Sequence, residues 1–203
     1  MNDQTNLGRE SYSVAESTLY PWVQAYLHLR FQERLKPLLG ECLPPISAIT
    51  SNVGTAGQWT RPDLALIALW RNKYSPSLQL DVYGFEVKTR QGCNLASVHE
   101  ALAQNRVVHY SYLVWHAPLS DLRGDQFATI RGHCEAFRIG LITFSRGRDA
   151  DSFIVHLQAR RADPTPDAID EFIELAFPEE QRSRLLQYLP GLIPHETHRD
   201  CQS

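Results

Sequence analysis

The first part of the chain carries apolar residues at helical spacing, between Val14 and Gly40. Pro21 interrupts this pattern, so it either lies in the first turn of the main helix, after a short turn, or kinks one longer helix. Pro44 and Pro45 cannot continue a helix. The pattern therefore predicts a helical segment that ends at Gly40.

Alternation between apolar and polar residues replaces the helical pattern in the next part of the chain. It predicts three strands, at Ile46–Asn52, Trp59–Trp70 and Leu78–Lys88, with a turn at Gly54 and Gly57 after the first. A short polar connection joins the last two strands, which predicts that they pair as an antiparallel hairpin.

The remainder alternates between helical and strand-like segments. It predicts helices at Asn94–Arg106 and Leu119–Phe137, strands at Val107–His116, Ile139–Phe144 and (at an edge) Phe153–Leu157, and C-terminal helices at Pro166–Phe177 and Glu179–Leu189. Asn94 is the predicted N-cap of its helix, and the helix at Leu119–Phe137 is expected to break near Gly124 or Gly132. The predicted fold class is α/β: one domain over residues 1–203, a mixed sheet with helices on both faces, and a frayed tail at 195–203.

Charge and cysteine content narrow the function. The formal net charge is −3, so binding to nucleic acid would depend on a local basic face or on a metal ion. The cysteines have no CxxC spacing, so we expect reduced thiols and no structural zinc site. The polar N-terminus and the lack of a long apolar run predict a cytoplasmic protein that does not enter a membrane.

Three charged residues interrupt the apolar pattern of the predicted hairpin: Asp63 in its first strand, and Glu86 and Lys88 in its second. Because side chains two residues apart on a strand point to the same face, Glu86 and Lys88 project together, while Val87 points into a core on the other side. Pairing of the two strands around their polar loop places Asp63 beside Glu86.

Two carboxylates on a half-buried sheet face repel each other unless a cation lies between them. Asp63 and Glu86 offer hard oxygen donors, so Mg²⁺ is the expected ion and Mn²⁺ the alternative. Lys88 would orient or help deprotonate an attacking water and would stabilise a charged transition state. The three residues together predict hydrolysis of phosphodiester bonds. The competing interpretation is a surface salt bridge.

The sequence Pro62-Asp63, followed by Glu86-Val87-Lys88, resembles the motif of the PD-(D/E)XK nuclease superfamily, which includes restriction and repair nucleases. The resemblance covers roughly residues 14–144. It implies a restriction-endonuclease-like core made of a helix, a three-stranded meander, a crossover helix and a fourth strand. Residues 145–190 would then form a C-terminal extension.

The resemblance also implies a fuller set of site residues. The metal ligands would be Asp63, Glu86, the main-chain carbonyl of Val87 and a glutamate of the first helix, which is Glu16 or alternatively Glu10. Glu16 would join Asp63, Glu86 and Lys88 as a catalytic residue. Gln104, on the crossover helix, is the nucleic-acid contact that the resemblance implies. The position of Arg90 after Lys88, where the strand ends, separately predicts a phosphate contact, with Arg61 and Arg106 in the same basic rim.

The resemblance further implies that the substrate is DNA, cut by an endonuclease that serves in restriction, defence or repair. It also implies a homodimer as the means of cutting both strands. Because the metal site does not tell DNA from RNA, an RNA nuclease is one alternative. A catalytically silent module that binds nucleic acid or protein on the same fold is the other.

Overall fold

The computed structural model describes residues 15–35, 40–51, 61–74 and 77–189. Within these ranges the helices are α1 (Tyr20–Leu29), α2 (Leu95–Ala103), α3 (Asp125–Ala136), α4 (Pro166–Ala176) and α5 (Glu179–Tyr188). The strands are β1 (Gly40–Cys42), β2 (Ile46–Ile49), β3 (Leu64–Asn72), β4 (Leu78–Lys88), β5 (Tyr110–His116), β6 (Gly140–Phe144) and β7 (Phe153–Leu157). Short 3₁₀ helices lie at Glu16–Thr18, Phe31–Leu35, Gln104–Arg106, Asp121–Arg123 and Ala150–Ser152.

One mixed sheet runs through the described part of the chain, in the order β1-β3-β4-β5-β6-β7, with β2 also paired to β3. The meander β2–β3–β4 is antiparallel, as predicted, and β7 is antiparallel to β6. The pairs β4–β5 and β5–β6 are parallel, so each needs a crossover, which α2 and α3 provide. The predicted α/β class with a mixed sheet is confirmed.

Apolar residues on both faces of the sheet hold the helices. One face carries α1, whose Val23 and Leu27 share a core with Val87. The opposite face has two cores, one with α4 and α5 around Phe172 and one with α2 and α3 around Trp115. Each large apolar side chain that is fully buried contributes about 1.5–3 kcal/mol, so burial on both faces fixes the sheet between its helices.

Local sequence signals set the starts of three helices. Asn94 caps α2, as predicted, because its side chain accepts a hydrogen bond from the amide of Ala96 at 2.8 Å. Pro21 lies in the first turn of α1, after the 3₁₀ turn at Glu16–Thr18. The predicted break falls at Gly124, which directly precedes α3.

None of the described helices combines the length and the apolar character needed to cross a bilayer.

The segment predicted to stay helical up to Gly40 is not one continuous helix among the described residues. Helix α1 ends at Leu29, a 3₁₀ turn begins at Phe31, and Gly40 starts β1, so Gly40 was wrong as the end of the helix. The ring of Phe31 is 1% exposed and meets the rings of Phe85 and Tyr112 edge-on. The chain therefore turns to bring an aromatic side chain into the core, which helical periodicity alone does not reveal.

The strand predicted at Trp59–Trp70 forms β3, which begins at Leu64 and extends to Asn72. The extension pairs with β1, a strand that the pattern did not predict, with Gly40 opposite Asn72. The strand predicted at Ile46–Asn52 ends at Ile49. The predictions for Glu10, Val14, Gly54, Gly57, Trp59 and the tail at 195–203 lie outside the described residues.

Because Gly140 of β6 has no side chain, the ring of its cross-strand neighbour Tyr112 occupies the space that a side chain at position 140 would take. A Cβ at this position would lie 2.1 Å from Cδ1 of Tyr112. The substitution Gly140→Ala would therefore push the ring out of the core. We expect it to lower the free energy of unfolding by about 1–3 kcal/mol, as measured by urea denaturation.

The matched control is Gly132→Ala in the exposed middle of α3, where a Cβ would meet nothing within 4 Å. Alanine favours the helix, so this variant should raise the free energy of unfolding by about 0.5–1 kcal/mol. A free energy of unfolding that is unchanged or raised in Gly140→Ala would contradict the packing described for Tyr112.

Candidate active site

Glu86 and Lys88 lie at the C-terminal end of β4 and point to the face that α2 covers. The alternate residues Phe85 and Val87 join the core beneath α1. The predicted alternation is therefore confirmed. Glu86 is 7% exposed and the Lys88 side chain 12%, so this ion pair is not a surface salt bridge.

Asp63 lies beside Glu86, in the register that the hairpin predicted. Leu64 pairs with Phe85, and the amide of Asp63 donates to the carbonyl of Phe85 at 3.1 Å, which extends the ladder by one residue. The carboxylate of Asp63 is held at both oxygens. Oδ1 accepts from the hydroxyl of Tyr20 at 2.6 Å, and Oδ2 accepts from the main-chain amide of Val87 at 2.8 Å.

The ammonium group of Lys88 lies among three further carboxylates. Its Nζ is 2.7 Å from Glu86 Oε1, 2.7 Å from Glu100 Oε2 and 3.6 Å from Glu16 Oε2. These four side chains and Asp63 are called the carboxylate cluster below. If all its carboxylates are ionised, the cluster holds four negative charges against one positive charge.

Gln104 orients Glu86 from beneath α2. Its Nε2 donates to Glu86 Oε2 at 2.6 Å, and its Oε1 accepts from the hydroxyl of Ser111 at 3.1 Å. The side chain reaches this position because Gly84 lacks a side chain, and a Cβ there would lie 3.0 Å from Gln104 Oε1. Gln104 is 0% exposed, so the prediction that it contacts nucleic acid is wrong.

Burial shifts the proton affinities of the cluster. Desolvation, reinforced by the charge of Asp63, raises the pKa of Glu86 to about 8. Desolvation also raises the pKa of Asp63 and of Glu16 above their ordinary values. Burial opposes the charged form of Lys88, but the Glu86 and Glu100 carboxylates outweigh it and raise the pKa of Lys88. Lys88 is therefore an ammonium group at neutral pH.

Two residues of this site were not predicted, Glu100 and Tyr20. The spacing of Glu100 and Gln104, four residues apart, was a signal that both could face one strand. Tyr20 gave no such signal, since a tyrosine in the first turn of a helix is ordinary core composition. Its contact with Asp63 depends on how α1 docks on the sheet.

The three arginines that were predicted to contact nucleic acid differ in their exposure and in their contacts. Arg90, in the turn after β4, binds the carboxylate of Asp121 through Nε and a terminal nitrogen at 2.7 and 2.9 Å, and its side chain is 58% exposed. Arg61 is half-buried and lies two residues before Asp63. Arg106 is exposed and ends the 3₁₀ turn that follows α2. Their contact with nucleic acid stays a prediction.

Mg²⁺ is the cation that the sequence pattern implies. Among the described residues, no three His, Cys, Asp or Glu side chains stand as an open metal-binding group, and the Lys88 ammonium lies among the carboxylates instead. The donor chemistry fits a hard divalent ion, because Asp63, Glu86 and Glu16 supply carboxylate oxygens in a region with excess negative charge. These three residues would have to hold it in an arrangement other than the one they have here.

Comparison with known proteins leaves the family open. No family model and no curated protein matches the chain. One solved structure, described as "SPO1766 protein of unknown function from Silicibacter pomeroyi", is 12% identical and covers 92% of this chain and 99% of its own, with a TM-score of 0.40. A likeness of that degree carries no conclusion about function.

The raised pKa of Glu86 has a consequence for stability. The folded protein binds this proton more tightly than the unfolded chain, so the stability it contributes is present in acid and is lost as the pH rises toward about 8. The substitution Glu86→Gln removes this loss. Relative to the original protein, its free energy of unfolding in chelator should rise by at least about 1 kcal/mol between about pH 5 and pH 8.

Urea denaturation at a series of pH values makes this measurement. The control is Glu135→Gln on the exposed side of α3, which removes a charge without removing a buried one. Parallel pH curves for the original protein and Glu86→Gln would contradict the electrostatics described for the cluster.

Proposed function

We propose that this protein is a Mg²⁺-dependent nuclease of the PD-(D/E)XK superfamily that hydrolyses phosphodiester bonds in DNA. The observation that carries the proposal is the position of the half-buried Asp63 beside the buried Glu86, with Lys88 two residues further along β4. The succession of α1, the β2–β3–β4 meander, α2 and the parallel strand β5 supports it. In this proposal the arginines Arg61, Arg90 and Arg106 contact the DNA backbone.

The proposed metal ligands are Asp63, Glu86, Glu16 and the main-chain carbonyl of Val87. Hydrogen bonds from Tyr20 to Asp63 and from Gln104 to Glu86 fix both carboxylates in advance, which limits the reorganisation needed on binding. When bound, Mg²⁺ supplies Lewis acidity and lowers the pKa of a water molecule.

Lys88 supplies positive charge where the phosphodiester group gains negative charge in the transition state. Because its pKa is raised, Lys88 donates hydrogen bonds to a phosphate oxygen or to the attacking water and does not remove a proton. Loss of one such fixed donor typically lowers kcat by about 10²–10³-fold. In this proposal Lys88 orients the attacking water, as the sequence predicted, but it does not deprotonate that water.

A catalytically silent binding module on the same fold is the second candidate. Two observations favour it. Lys88 already compensates Glu86 and Glu100, and no group of three metal-binding side chains is found among the described residues. An RNA nuclease would use the same residues as a DNA nuclease. A role in restriction, defence or repair, carried out by a homodimer, belongs to the proposal as well.

The test is cleavage of supercoiled plasmid DNA and, separately, of RNA, in Mg²⁺, in Mn²⁺ and in chelator. We expect cleavage of DNA that needs the divalent ion. Asp63→Asn removes one ligand charge and Lys88→Met removes the ammonium group, so each should lower the rate by at least about 100-fold. The matched controls are Asp163→Asn, at a side chain that is 99% exposed, and Lys73→Met in the β3–β4 turn.

Each outcome has a separate meaning. Cleavage of neither polymer in either ion would favour the silent module and overturn the enzyme proposal. Cleavage of RNA alone would correct the substrate. Cleavage that survives both Asp63→Asn and Lys88→Met, in protein that circular dichroism shows to be folded, would place the active site elsewhere.

A further inference from the structure

Strand β4 and the helical segment made of α2 and the 3₁₀ turn that follows it present two pairs of polar side chains at matching distances. Glu100 and Gln104 are four residues apart, which corresponds to about 6 Å along a helix. Glu86 and Lys88 are two residues apart, which corresponds to about 6.6 Å along a strand. The two spacings agree, so both pairs meet at once, with Glu100 at 2.7 Å from Lys88 and Gln104 at 2.6 Å from Glu86.

The two contacts pair complementary chemical groups, and they do so because Glu100 precedes Gln104 along the chain; the reverse order would not be complementary. The carboxylate of Glu100 meets the ammonium of Lys88, and the amide N–H of Gln104 meets the carboxylate of Glu86. A glutamate at position 104 would instead set a second carboxylate against Glu86. The order therefore gives each strand residue its own partner on the helix and keeps repulsion out of the buried contact.

Lys88 binds Glu86 and Glu100 at the same distance, 2.7 Å, whereas Glu16 is 3.6 Å away. A cation that takes Glu86 as a ligand must compete with the ammonium group for Glu86 Oε1. Glu100 provides a second carboxylate that can keep the ammonium group compensated during this exchange. Glu100 Oε2 is itself buried and accepts no hydrogen bond from the residues that the structure describes, so its charge is compensated only through the 2.7 Å ion pair with Lys88.

We propose that Glu100 is a positioning residue of the site: it holds the Lys88 ammonium group so that Glu86 is free to bind a divalent cation. This inference rests on the proposed function, because it assigns Glu86 to a metal ion. Without Glu100, Lys88 would keep Glu86 as its close carboxylate partner, and the cation would bind less tightly. Glu100 acts through Lys88 and is not itself a ligand.

The test is calorimetric titration of Mg²⁺, and separately of Mn²⁺, into the full chain without nucleic acid. Glu100→Gln should bind the ions about tenfold or more weakly than the original protein, as is typical when a partner of a ligand is lost. Lys88→Met should bind them at least as tightly as the original protein, because the competing cation is gone. In that background, Glu100→Gln should change the affinity less than about twofold.

Glu135→Gln on the exposed side of α3 is the control for loss of one negative charge, and its affinity should match the original protein. Thermal unfolding confirms that each variant is folded, and Lys88→Gln replaces Lys88→Met as the background if the latter does not fold. An unchanged affinity in Glu100→Gln overturns the role of Glu100 and leaves the proposed function standing. Equal weakening with and without Lys88 makes Glu100 a direct ligand and also overturns this role.

Absence of any binding by the original protein contradicts the proposed function itself, and the role of Glu100 is rejected with it. The two failures are therefore distinguishable from the first titration.

Discussion

The ammonium group of Lys88 compensates a partly buried excess of negative charge, and the arrangement around it depends on that contact. Carboxylates from a 3₁₀ turn, from the chain before β3, from β4 and from α2 converge on this one group or lie beside it. An uncompensated buried charge costs several kcal/mol of folding free energy. Other contacts must therefore hold these segments together against the repulsion between their carboxylates. The apolar cores on both faces of the sheet provide that hold.

Strand β4 contributes side chains both to the hydrophobic core and to the candidate active site. Phe85 and Val87 are fully buried beneath α1, whereas Glu86 and Lys88 between and beyond them face α2. The strand cannot shift by one residue without exchanging these faces, which would bury both charges in the aromatic core. The fold therefore keeps carboxylates with raised pKa values in place, which is a common property of functional sites.

Short-range patterns were sufficient to predict the pairing of Asp63 with Glu86, because one hairpin and the alternation of a strand determine it. The partners from helices were harder to predict. Helical periodicity gives the face of α2 but not its docking position, so Glu100 was missed and Gln104 was predicted to contact nucleic acid. Gly84, which makes room for Gln104, is meaningful only once the helix is in place. The turn at Phe31 likewise follows from aromatic packing between distant parts of the chain.

The central claim is that the carboxylate cluster is a binding site for a divalent cation. The most direct measurement is thermal unfolding in millimolar Mg²⁺, compared with K⁺ at equal ionic strength, for the original protein and for a double variant Asp63→Asn, Glu86→Gln. A ligand that binds only the folded state raises the unfolding temperature, so the original protein should gain about 2 °C or more in Mg²⁺ and the double variant should gain nothing. An equal gain in both proteins, or no gain in the original protein, would contradict the claim.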